Sequence, residues 1–400
     1  MSDPDVCVVV PTIREYECVR DYVANARAHG FDTDRLEFCL VTEDDCPTDE
    51  MRAMLDDLGV AGGVYDGTAR ERWFEAHGVA EYRHLIPAHS HAQTSFGLLY
   101  LWAAGHDYGV FLDDDTRPHE DVDFFSTHLS NLASEGDLTE RASDERWVNV
   151  LDDADGDLYP RGYPYAAMDE TSERRTTKVS DVVASQGLWT DVPDLDAVRI
   201  LNDGDLRGQA ATRTSADDFP EDFVAARGHY LTVCSMNLAF KREVVPAFYQ
   251  FPMDDNEWGV GRFDDIWSGL LLKRACDAVG TRIYNGRPLC HHEKAPRSTF
   301  DDLADEVAGL ELNEHVWEII DRATPALPDD DAENGTTLAA DGGVRADAYA
   351  AVARAVAAEL ATGDFSAYRN GAFLNRCGEH LDEWVDCLDS LDDGDTFRQI

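Results

Sequence analysis

The chain has 400 residues, enough for one large domain with an appendage or for two domains. Its 80 Asp and Glu residues far outnumber its 34 Lys and Arg residues, so the formal net charge is −46. This excess, without basic clusters, argues against binding to nucleic acid or to anionic membranes. With 44% hydrophobic residues the chain is also unlike a disordered acidic tail. We interpret the charge as a solvated acidic surface suited to a high-salt cytoplasm, where ions screen the repulsion.

The cysteines and the amino terminus indicate the compartment. The nine cysteines are odd in number and none forms a C-x-x-C pair, so neither a zinc knuckle nor a disulfide framework is expected. The first residues are acidic and lead straight into a strand pattern, unlike a signal peptide. No apolar run approaches the ~18 residues that a membrane span needs. We therefore expect a soluble, cytoplasmic protein with reduced thiols and no membrane span.

The first part of the chain has the pattern of alternating strands and helices. Residues 6–10 form a continuous apolar run, and the helical spacing that follows stops at Gly30. Residues 37–42 form a second strand, closed by an acidic loop that contains Asp44 and Asp45, with helical spacing behind it. Two such units predict an α/β fold with a doubly wound, mostly parallel sheet. The glycine fingerprint of dinucleotide folds is missing after the first strand, which argues against NAD.

Three adjacent carboxylates, Asp113, Asp114 and Asp115, follow the apolar run 109–112. Ligands in α/β folds sit at the carboxyl ends of parallel strands. Because neighbouring carboxylates repel one another, a divalent cation fits well among them, and oxygen ligands suit Mg²⁺ or Mn²⁺ holding a phosphate. The pattern favours a metal–diphosphate site, with an acidic surface loop as the alternative.

Further candidates occur one at a time, each with a structural alternative. Arg161 stands among tyrosines and prolines, which suits either a sugar or phosphate contact or a surface turn. Gly187 permits close backbone approach, and Trp189 offers a flat stacking face. Asp264 and Asp265 open an amphipathic helix, where the helix dipole alone favours acidic residues.

The elements between these candidates are predicted from pattern. Residues 147–151 look like a strand, and residues 200–228 are polar and weakly patterned, which predicts a long surface excursion. Residues 282–284 form a short strand, followed by a polar loop in which His291 and His292 could bind a metal.

Composition also divides the chain. Residues 1–320 are predicted to form the main domain, residues 321–344 a Pro-, Asp- and Gly-rich linker, and residues 345–400 a helical appendage. We expect the two carboxy-terminal helices to pack on the main domain or on a second subunit.

Several of these segments, in this order, resemble one family, the reversibly glycosylated polypeptides, also known as UDP-arabinopyranose mutases. The matching segments are residues 9–14, 111–115, 128–132, 161–165, 185–189 with 193–194, 236–240, 261–269 and 292–295. Together they extend from about residue 6 to about residue 320. The resemblance implies a GT-A-like nucleotide-sugar fold in a cytosolic enzyme that needs Mn²⁺ or Mg²⁺ and is often oligomeric. It also implies interconversion of the pyranose and furanose forms of a UDP-pentose.

The same resemblance implies roles for individual residues. It implies metal ligands at Asp113, Asp115 and His292, catalytic residues at Arg161, Asp264 and Asp265, and UDP-sugar contacts at Thr12, Arg14, Asp44, Asp45, Asp114, Gly187, Trp189, Asn237, Arg262 and Lys294. Arg161 matches the arginine that family members glycosylate reversibly. Because guanidinium is a poor nucleophile at its ordinary pKa, we expect Arg161 to orient the sugar, with covalent attachment as a side reaction.

The chain also departs from the family pattern. Plant-type members carry a basic residue just before the Phe-Gly of the helix that precedes the three aspartates, whereas here Gln93-Thr94-Ser95 precedes Phe96-Gly97. A diphosphate contact is therefore lost or supplied elsewhere, for instance by Arg262. The sequence leaves three functions open: a UDP-sugar mutase, an inverting glycosyltransferase with a separate acceptor, and a non-catalytic subunit that binds nucleotide-sugars.

Overall fold

A computed structural model describes residues 5–13, 16–168, 172–253, 256–324 and 342–393. Within these ranges the strands are β1 (Val6–Pro11), β2 (Leu36–Val41), β3 (Ala61–Tyr65), β4 (Tyr108–Leu112), β5 (Thr116–Pro118), β6 (Gly136–Ala142), β7 (Glu173–Val179), β8 (Val182–Asp191), β9 (Phe223–Ala225), β10 (Asn237–Lys241) and β11 (Arg282–His292). The helices are α1 (Cys18–His29), α2 (Thr48–Leu58), α3 (Gly67–Ala76), α4 (Thr94–Ala104), α5 (Phe124–Leu132), α6 (Ala197–Asp203), α7 (Asp264–Val279), α8 (Thr299–Ala323), α9 (Gly342–Thr362) and α10 (Ala372–Asp393). Arg14 and most of the predicted linker lie outside the described residues.

The strands of the described chain form a single sheet. Their order is β3-β2-β1-β4-β10-β8-β11-β9-β6-β7, with β5 paired to β11. β3, β2, β1 and β4 run parallel, and β10 joins β4 in antiparallel register, with Asn237 opposite Leu112. β1 and β4 are almost wholly buried, as expected of strands that helices cover on both faces. The predicted α/β class, a large sheet with carboxy-terminal helices, is confirmed.

The topology brings several strand ends to one edge of the sheet. β8 is antiparallel to β10, and β10 is antiparallel to β4, so β8 runs in the same direction as β4. β11 runs parallel to β8, with His292 opposite Asp191. The carboxyl ends of β1, β2, β4, β8 and β11 therefore share one edge, where ligands bind in folds of this class.

Helix α4 leads directly into β4 and packs closely on the sheet. A Cβ atom added at Gly97 would lie 2.3 Å from Cγ1 of Val9, so only glycine fits between α4 and β1. The helix ends at Gly105, whose φ of 77° is the left-handed conformation that closes many helices. This tight connection fixes the point at which the three aspartates leave the sheet.

Three predictions about local structure are wrong. Residues 147–151 do not form a strand, because only Trp147 makes a bridge, to Tyr230, and the following residues turn. The strand predicted at residues 282–284 continues to His292, so the two histidines lie in a strand and not in a loop. The predicted surface excursion, residues 200–228, includes the buried strand β9 beside β11, because aromatic and branched residues within the polar segment pack into the core.

The two carboxy-terminal helices pack against the rest of the chain. Trp384 on α10 is fully buried; its Nε1 donates to the carbonyl oxygen of Val245 at 3.2 Å, and its ring stacks on Tyr249. On α9 the Tyr349 hydroxyl lies 2.6 Å from Oγ1 of Thr281, which follows α7. The apolar faces of both helices are thus buried within this chain. None of the helices in the described ranges is both long and apolar enough to cross a membrane.

Candidate active site

The turn after β4 is fixed by hydrogen bonds to its neighbours. Oγ1 of Thr12, at the end of β1, donates to Oδ2 of Asp114 at 2.8 Å. The amide of Asp113 donates to the carbonyl oxygen of Met236, and its own carbonyl accepts from the hydroxyl of Thr116 at 2.8 Å. Asp114 therefore joins the ends of β1 and β4. Thr12 and Asp114, two of the residues predicted to contact UDP-sugar, are therefore hydrogen-bonded to each other.

Asp115 and His292 form a pair suited to a divalent cation. Nε2 of His292 lies 3.7 Å from Oδ2 of Asp115, which is too long for a hydrogen bond. Nδ1 of His292 is 2.6 Å from the carbonyl oxygen of Val192, and a carbonyl can only accept. Nδ1 therefore carries the proton, which leaves the Nε2 lone pair directed at Asp115, the arrangement typical of metal-binding histidines. Among the described residues no three His, Cys, Asp or Glu side chains are grouped so as to hold a metal alone.

Asp113 lies beside this pair in a strongly negative environment. Burial raises the pKa of its carboxyl well above the ordinary value, and the charges of Asp115 and Asp114 raise it further. The charges of Asp265, on α7, and of Asp194, after β8, raise the pKa of Asp113 in the same direction.

Arg161 is held by two carboxylates and a carbonyl. Its Nη1 and Nη2 donate to the two oxygens of Asp265 at 3.1 and 3.0 Å, and its Nε donates to Oδ2 of Asp194 at 3.1 Å. Nη1 also donates to the carbonyl oxygen of Arg262. The backbone amide of Arg161 completes the arrangement by donating to the carbonyl oxygen of Asp194 at 2.8 Å. All three of these side chains are close to one-tenth exposed, at 11%, 9% and 12% for Arg161, Asp194 and Asp265.

These contacts decide the electrostatics of Arg161. Burial alone would lower the pKa of the guanidinium, but the charges of Asp194 and Asp265 raise it well above the ordinary value. Burial raises the pKa of the Asp194 carboxyl. The nearby cations, first Arg161 and then Lys294, outweigh burial and hold this pKa below the usual range. Arg161 is therefore a permanent cation between two carboxylates.

The two other cations of the site differ from each other. Arg262 has a left-handed backbone, φ 60°, and its Nε donates to Oε1 of Glu306 at 2.8 Å while Nη1 lies 3.4 Å from Asp302. Its guanidinium is thus engaged within the protein. Lys294 has a buried Nζ for which no hydrogen-bond partner exists among the described residues. Burial lowers the pKa of this ammonium, and Asp194 opposes the shift.

The predicted uridine and helix-end carboxylates lie in different surroundings. Asp44 is exposed, and its Oδ1 accepts from the amide of Thr68 at 2.9 Å, which stabilises the start of α3. Asp45 is also exposed. Asp264 is buried at the first position of α7, next to Asp265, which holds Arg161. Capping, the alternative for the pair at this helix start, therefore does not account for Asp265.

The family to which the chain belongs is shown by comparison with known proteins. The family described as reversibly glycosylated polypeptide matches residues 79–358, well over half of the chain. The chain is a member of the reversibly glycosylated polypeptide family. The resemblance inferred from the separate sequence motifs is thus confirmed.

Three relatives with similar sequences come from plants. The chain is 29% identical over 231 residues to "Probable UDP-arabinopyranose mutase 1" of Pisum sativum, which covers 56% of this chain and 55% of the pea protein. It is 30% identical over 217 residues to "UDP-arabinopyranose mutase 1" of Arabidopsis thaliana, covering 52% and 54% of the two chains. A potato (Solanum tuberosum) relative, "Probable UDP-arabinopyranose mutase 1", is 27% identical over 298 residues, covering 73% and 68%. The chain spans about half the length of most of these relatives.

Solved structures with a similar fold share less sequence identity with this chain. The mannosyltransferase PcManGT from Pyrobaculum calidifontis, in complex with GDP-Man and Mn²⁺, is 14% identical with a TM-score of 0.40, covering 100% of this chain and 89% of that one. Residues 1–349 of TarS from S. aureus are 11% identical with a TM-score of 0.32, covering 98% and 92%.

Within this family member, three residues predicted to contact UDP-sugar lie in the interior. Asn237 is fully buried; its amide nitrogen donates to the carbonyl oxygen of Pro288 at 2.9 Å, and its Oδ1 lies 2.9 Å from Nε2 of His128. A Cβ atom at Gly187 would lie 2.2 Å from Nδ2 of Asn237. Trp189 is 2% exposed, so its ring packs in the core and presents no open stacking face. These residues form a buried layer of the sheet, which we call the floor.

Two residues near the site were missed from the sequence. Asp194 follows β8 as Asp113 follows β4, and its place in the segment 193–194 was the available signal. The thiol of Cys234 has its pKa raised by burial and then by the charges of Asp194 and Asp265. Cys234 is buried, and no spacing in the sequence indicates that these two charges act on it.

Proposed function

We propose that this chain is a UDP-sugar pyranose–furanose mutase that requires Mn²⁺ or Mg²⁺. Membership of the family and the names of the plant relatives support a role in UDP-sugar metabolism. The observation that carries the proposal is the pairing of Asp115 with His292 at the same sheet edge as the Arg161–Asp265 ion pair. One pair suits a metal-bound diphosphate, and the other suits the sugar attached to it.

The residues present fit a divalent cation. Asp115 offers a carboxylate oxygen, and His292 offers Nε2, its tautomer fixed by the bond from Nδ1 to Val192. Because the described residues hold no third ligand grouped with these two, the remaining ligands would be diphosphate oxygens and water, as is usual for Mg²⁺ and Mn²⁺ sites. Asp113 is the adjacent carboxylate that could contribute. When bound, the cation stabilises negative charge on the departing diphosphate.

Lys294 is suited to the same diphosphate. A buried ammonium without a hydrogen-bond partner is unfavourable, and an anionic ligand would provide the missing acceptor. Arg262 is less suited to bind the diphosphate, because its guanidinium already donates to Glu306 and lies 3.4 Å from Asp302. In this chain Lys294 would therefore replace the basic residue that plant-type members carry before the Phe-Gly of α4.

In ring contraction the anomeric C–O bond to UDP breaks, and a different hydroxyl of the sugar bonds to the anomeric carbon and gives up its proton. The bond from that carbon to the old ring oxygen breaks, this oxygen takes up a proton, and UDP returns to the anomeric carbon. Asp265 and its neighbour Asp264 would carry the hydroxyl protons during opening and closing. Arg161 would hold Asp265 in place and orient the sugar through its remaining surface. Because two carboxylates raise the pKa of its guanidinium, we propose that attachment of sugar to Arg161 is a side reaction and not the main path.

The test is to incubate the purified protein with Mn²⁺ and a panel of UDP-pentoses and UDP-hexoses, then resolve the nucleotide-sugars by chromatography. The assay uses high salt and a thiol reductant, a cytoplasm-like setting supported by the acidic surface and the nine free thiols. A new UDP-sugar of unchanged mass is the expected result. Release of free UDP that depends on an added acceptor would instead favour a glycosyltransferase, and binding without turnover would favour a non-catalytic subunit.

A further inference from the structure

Arg262 has a backbone conformation that its residue type disfavours. Its φ is 60°, in the left-handed region that residues other than glycine seldom occupy. For an L-residue this conformation is roughly 5- to 30-fold less populated than the right-handed one. Residues in such regions concentrate at functional sites, where their surroundings hold them in place. The contacts of Arg262 therefore indicate what its conformation serves.

The position of Arg262 in the chain connects it to the candidate site. Arg262 precedes Phe263 and α7, and Asp265 is the second residue of that helix. The backbone direction at Arg262 therefore determines where α7 begins and where Asp265 lies. The carbonyl oxygen of Arg262 accepts from Nη1 of Arg161, the same atom that donates to Asp265 at 3.1 Å. The left-handed conformation thus supports both members of the Arg161–Asp265 pair.

Glu306, on α8, holds the side chain of Arg262. Nε of Arg262 donates to Oε1 of Glu306 at 2.8 Å, and the amide of Ala197, at the start of α6, donates to Oε2 at 2.7 Å. The side chain of Glu306 is 1% exposed, so both hydrogen bonds are shielded from water. Asp302 lies farther from the guanidinium, at 3.4 Å, and pairs with Arg297 at 2.8 Å. One buried carboxylate therefore joins α6 and α8 to the turn that precedes α7.

The backbone of α8 also packs closely against this turn. A Cβ atom added at Gly309 would lie 2.4 Å from Cδ2 of Phe263, so the helix approaches the turn as closely as glycine permits. About one turn further along α8, Nδ2 of Asn313 donates to the carbonyl oxygen of Gly162 at 2.8 Å, next to Arg161. α8 therefore contacts the segments that carry both members of the ion pair.

We propose that Glu306 is a positioning residue for the mutase reaction, and that it acts through the backbone of Arg262 on the Arg161–Asp265 pair. The inference rests on the proposed function, which assigns this pair to the sugar. Without the carboxylate of Glu306, residue 262 is free to leave the left-handed region. Its carbonyl oxygen then turns away from Arg161, and Asp265 loses its orientation. UDP affinity should not change, because the residues assigned to the metal and the diphosphate lie on β11 and after β4 and β11.

Glu306→Gln is the first variant. Both partners of Glu306 are donors, whereas a glutamine side chain has one acceptor oxygen, so one hydrogen bond is lost while the size of the side chain is kept. We expect kcat for the UDP-sugar to fall roughly 10- to 100-fold, because a misplaced group of this kind costs rate and not binding. KM and the affinity for UDP, measured by calorimetry, should stay within about twofold of the wild type.

The matched control is Asp277→Asn, near the other end of α7. Oδ2 of Asp277 accepts from Nζ of Lys273 at 2.6 Å and from the amide of Gly228 at 2.9 Å. Like Glu306, it is a buried carboxylate between a cation and a backbone amide, but it lies about 18 Å along the helix axis from Asp265. Asp277→Asn should lower the thermal stability and leave kcat unchanged. An equal loss of kcat in the two variants would show a general loss of stability and overturn the proposal.

Two double variants separate the backbone of residue 262 from its side chain. Arg262→Gly and Arg262→Ala, each combined with Glu306→Gln, lose the same charges and differ by one methyl group. Glycine enters the left-handed region readily and alanine does not, so kcat of the glycine variant should exceed that of the alanine variant, by up to roughly 30-fold. Equal kcat values would overturn the proposal. Because cation and carboxylate are removed together, these variants decide the point if Glu306→Gln alone does not fold.

Crystal structures of the wild type, Glu306→Gln and Asp277→Asn give a readout that does not need turnover. In Glu306→Gln alone, residue 262 should leave the left-handed region and the two hydrogen bonds between Arg161 and Asp265 should lengthen or break. A wild type that does not convert UDP-sugars would overturn the proposed function, and this comparison would still decide the role of Glu306. A positive φ at residue 262 and an intact ion pair in Glu306→Gln would overturn the inference even in an active mutase.

Discussion

Arg161 and Asp265 form a doubly hydrogen-bonded ion pair, in which Nη1 and Nη2 each donate to one carboxylate oxygen at 3.1 and 3.0 Å. Because Nε of the same guanidinium donates to Asp194, one cation contacts both carboxylates. The pair links α7 to the segment after β8 and so fixes two walls of the candidate site.

Arg161→Lys is expected to abolish turnover while UDP affinity stays nearly intact. Lysine keeps the positive charge between Asp194 and Asp265 but cannot bind a carboxylate with two parallel bonds, so Asp265 loses its orientation. A misplacement of about 1 Å in such a site lowers turnover roughly 100-fold. Turnover is followed by chromatography of the UDP-sugars and UDP affinity by calorimetry. The control is Arg146→Lys, which alters another two-bonded pair, between the turn after β6 and Asp321 near the end of α8, and should leave turnover unchanged.

Arg161→Ala is a poorer test of chemistry because it removes the guanidinium that contacts two largely buried carboxylates, Asp194 and Asp265. Breaking a buried pair in this way lowers the free energy of unfolding by about 3–5 kcal/mol. Equal losses of UDP affinity and turnover in the well-folded Arg161→Lys protein would show that Arg161 binds the diphosphate and would contradict the assignment.

Asp115→Asn and His292→Gln should each remove the effect of Mn²⁺ on UDP binding. Both substitutions keep the size of the side chain but weaken its metal-binding atom, and we expect UDP affinity in Mn²⁺ to fall at least about tenfold. Titration calorimetry with UDP, in Mn²⁺ and in EDTA, measures the difference. Asp191→Asn is the control, since Asp191 pairs with His291 on the neighbouring positions of β8 and β11. If Asp115→Asn binds UDP in Mn²⁺ as tightly as the wild type does, the metal assignment fails.

Much of the candidate site could be predicted because its residues stand where strands end. Asp113 and Asp115 follow a short apolar run, a pattern that both physical reasoning and the family motif recognise. Asp265 could be found only through the motif, because an acidic residue at a helix start is equally well explained as a cap. What makes it more than a cap is its contact with Arg161, 104 positions away in the chain.

The buried positions of some predicted ligand-binding residues have a common physical reason. A lone amide in an apolar stretch, such as Asn237, can serve a ligand or satisfy buried backbone groups, and the sequence does not distinguish these uses. Here the side-chain amide of Asn237 donates a hydrogen bond to the carbonyl oxygen of Pro288. The same amide lies so close to Gly187 that a side chain at position 187 would collide with it. The segments that match the family contain both buried residues of the floor and residues of the candidate site. Membership of a matching segment therefore does not tell which residues are exposed to a ligand.

Gly187→Ala should destabilise the protein strongly although its backbone conformation is ordinary. The added Cβ would lie 2.2 Å from Nδ2 of Asn237 and 2.3 Å from the carbonyl oxygen of Pro288, and neither atom can move without breaking a buried hydrogen bond. We expect a loss at or above the upper end of the about 1–3 kcal/mol typical of overpacking. Gly59→Ala is the control: its φ is +60°, but no atom lies within 4 Å of the added Cβ, so the loss should be about 1 kcal/mol. Chemical unfolding in high salt measures both values, and equal losses would show that the contact at Gly187 is easily relieved.

His128 should make stability depend on pH below neutrality. Burial lowers the pKa of its ring from 6.5 to about 4, while the bond to Asn237 opposes the shift. Between these two pH values the unfolded chain binds a proton at His128 that the folded protein does not bind. The contribution of His128 to the free energy of unfolding is therefore fully present above pH 6.5 and is lost as pH falls towards 4. The decline amounts to about 3 kcal/mol at order-of-magnitude precision.

The measurement for His128 is the free energy of unfolding across this pH range for the wild type and for His128→Gln, whose amide nitrogen can still donate to Asn237. The variant should show the shallower slope. His380, whose pKa is also lowered to about 4, is present in both proteins, so the difference in slope isolates His128. Identical slopes would mean that His128 is not protonated on unfolding in this range.

Lys294→Met should weaken UDP binding without weakening the fold. The Nζ atom of Lys294 is buried and lacks a hydrogen-bond partner among the described residues, so replacing it with an apolar chain of similar length removes an unfavourable group. A charge-assisted bond to diphosphate is worth about 1.5–3 kcal/mol, which corresponds to roughly a 10- to 100-fold loss of UDP affinity. Calorimetry measures the affinity and thermal unfolding the stability, with Lys241→Met, at the end of β10, as the control. If Lys294→Met is markedly less stable, the ammonium is needed as a counter-charge for Asp194, because burial of that carboxylate would then be uncompensated. If its UDP affinity equals that of the wild type, Lys294 does not contact the diphosphate, and the cation that replaces the plant-type basic residue must be sought elsewhere.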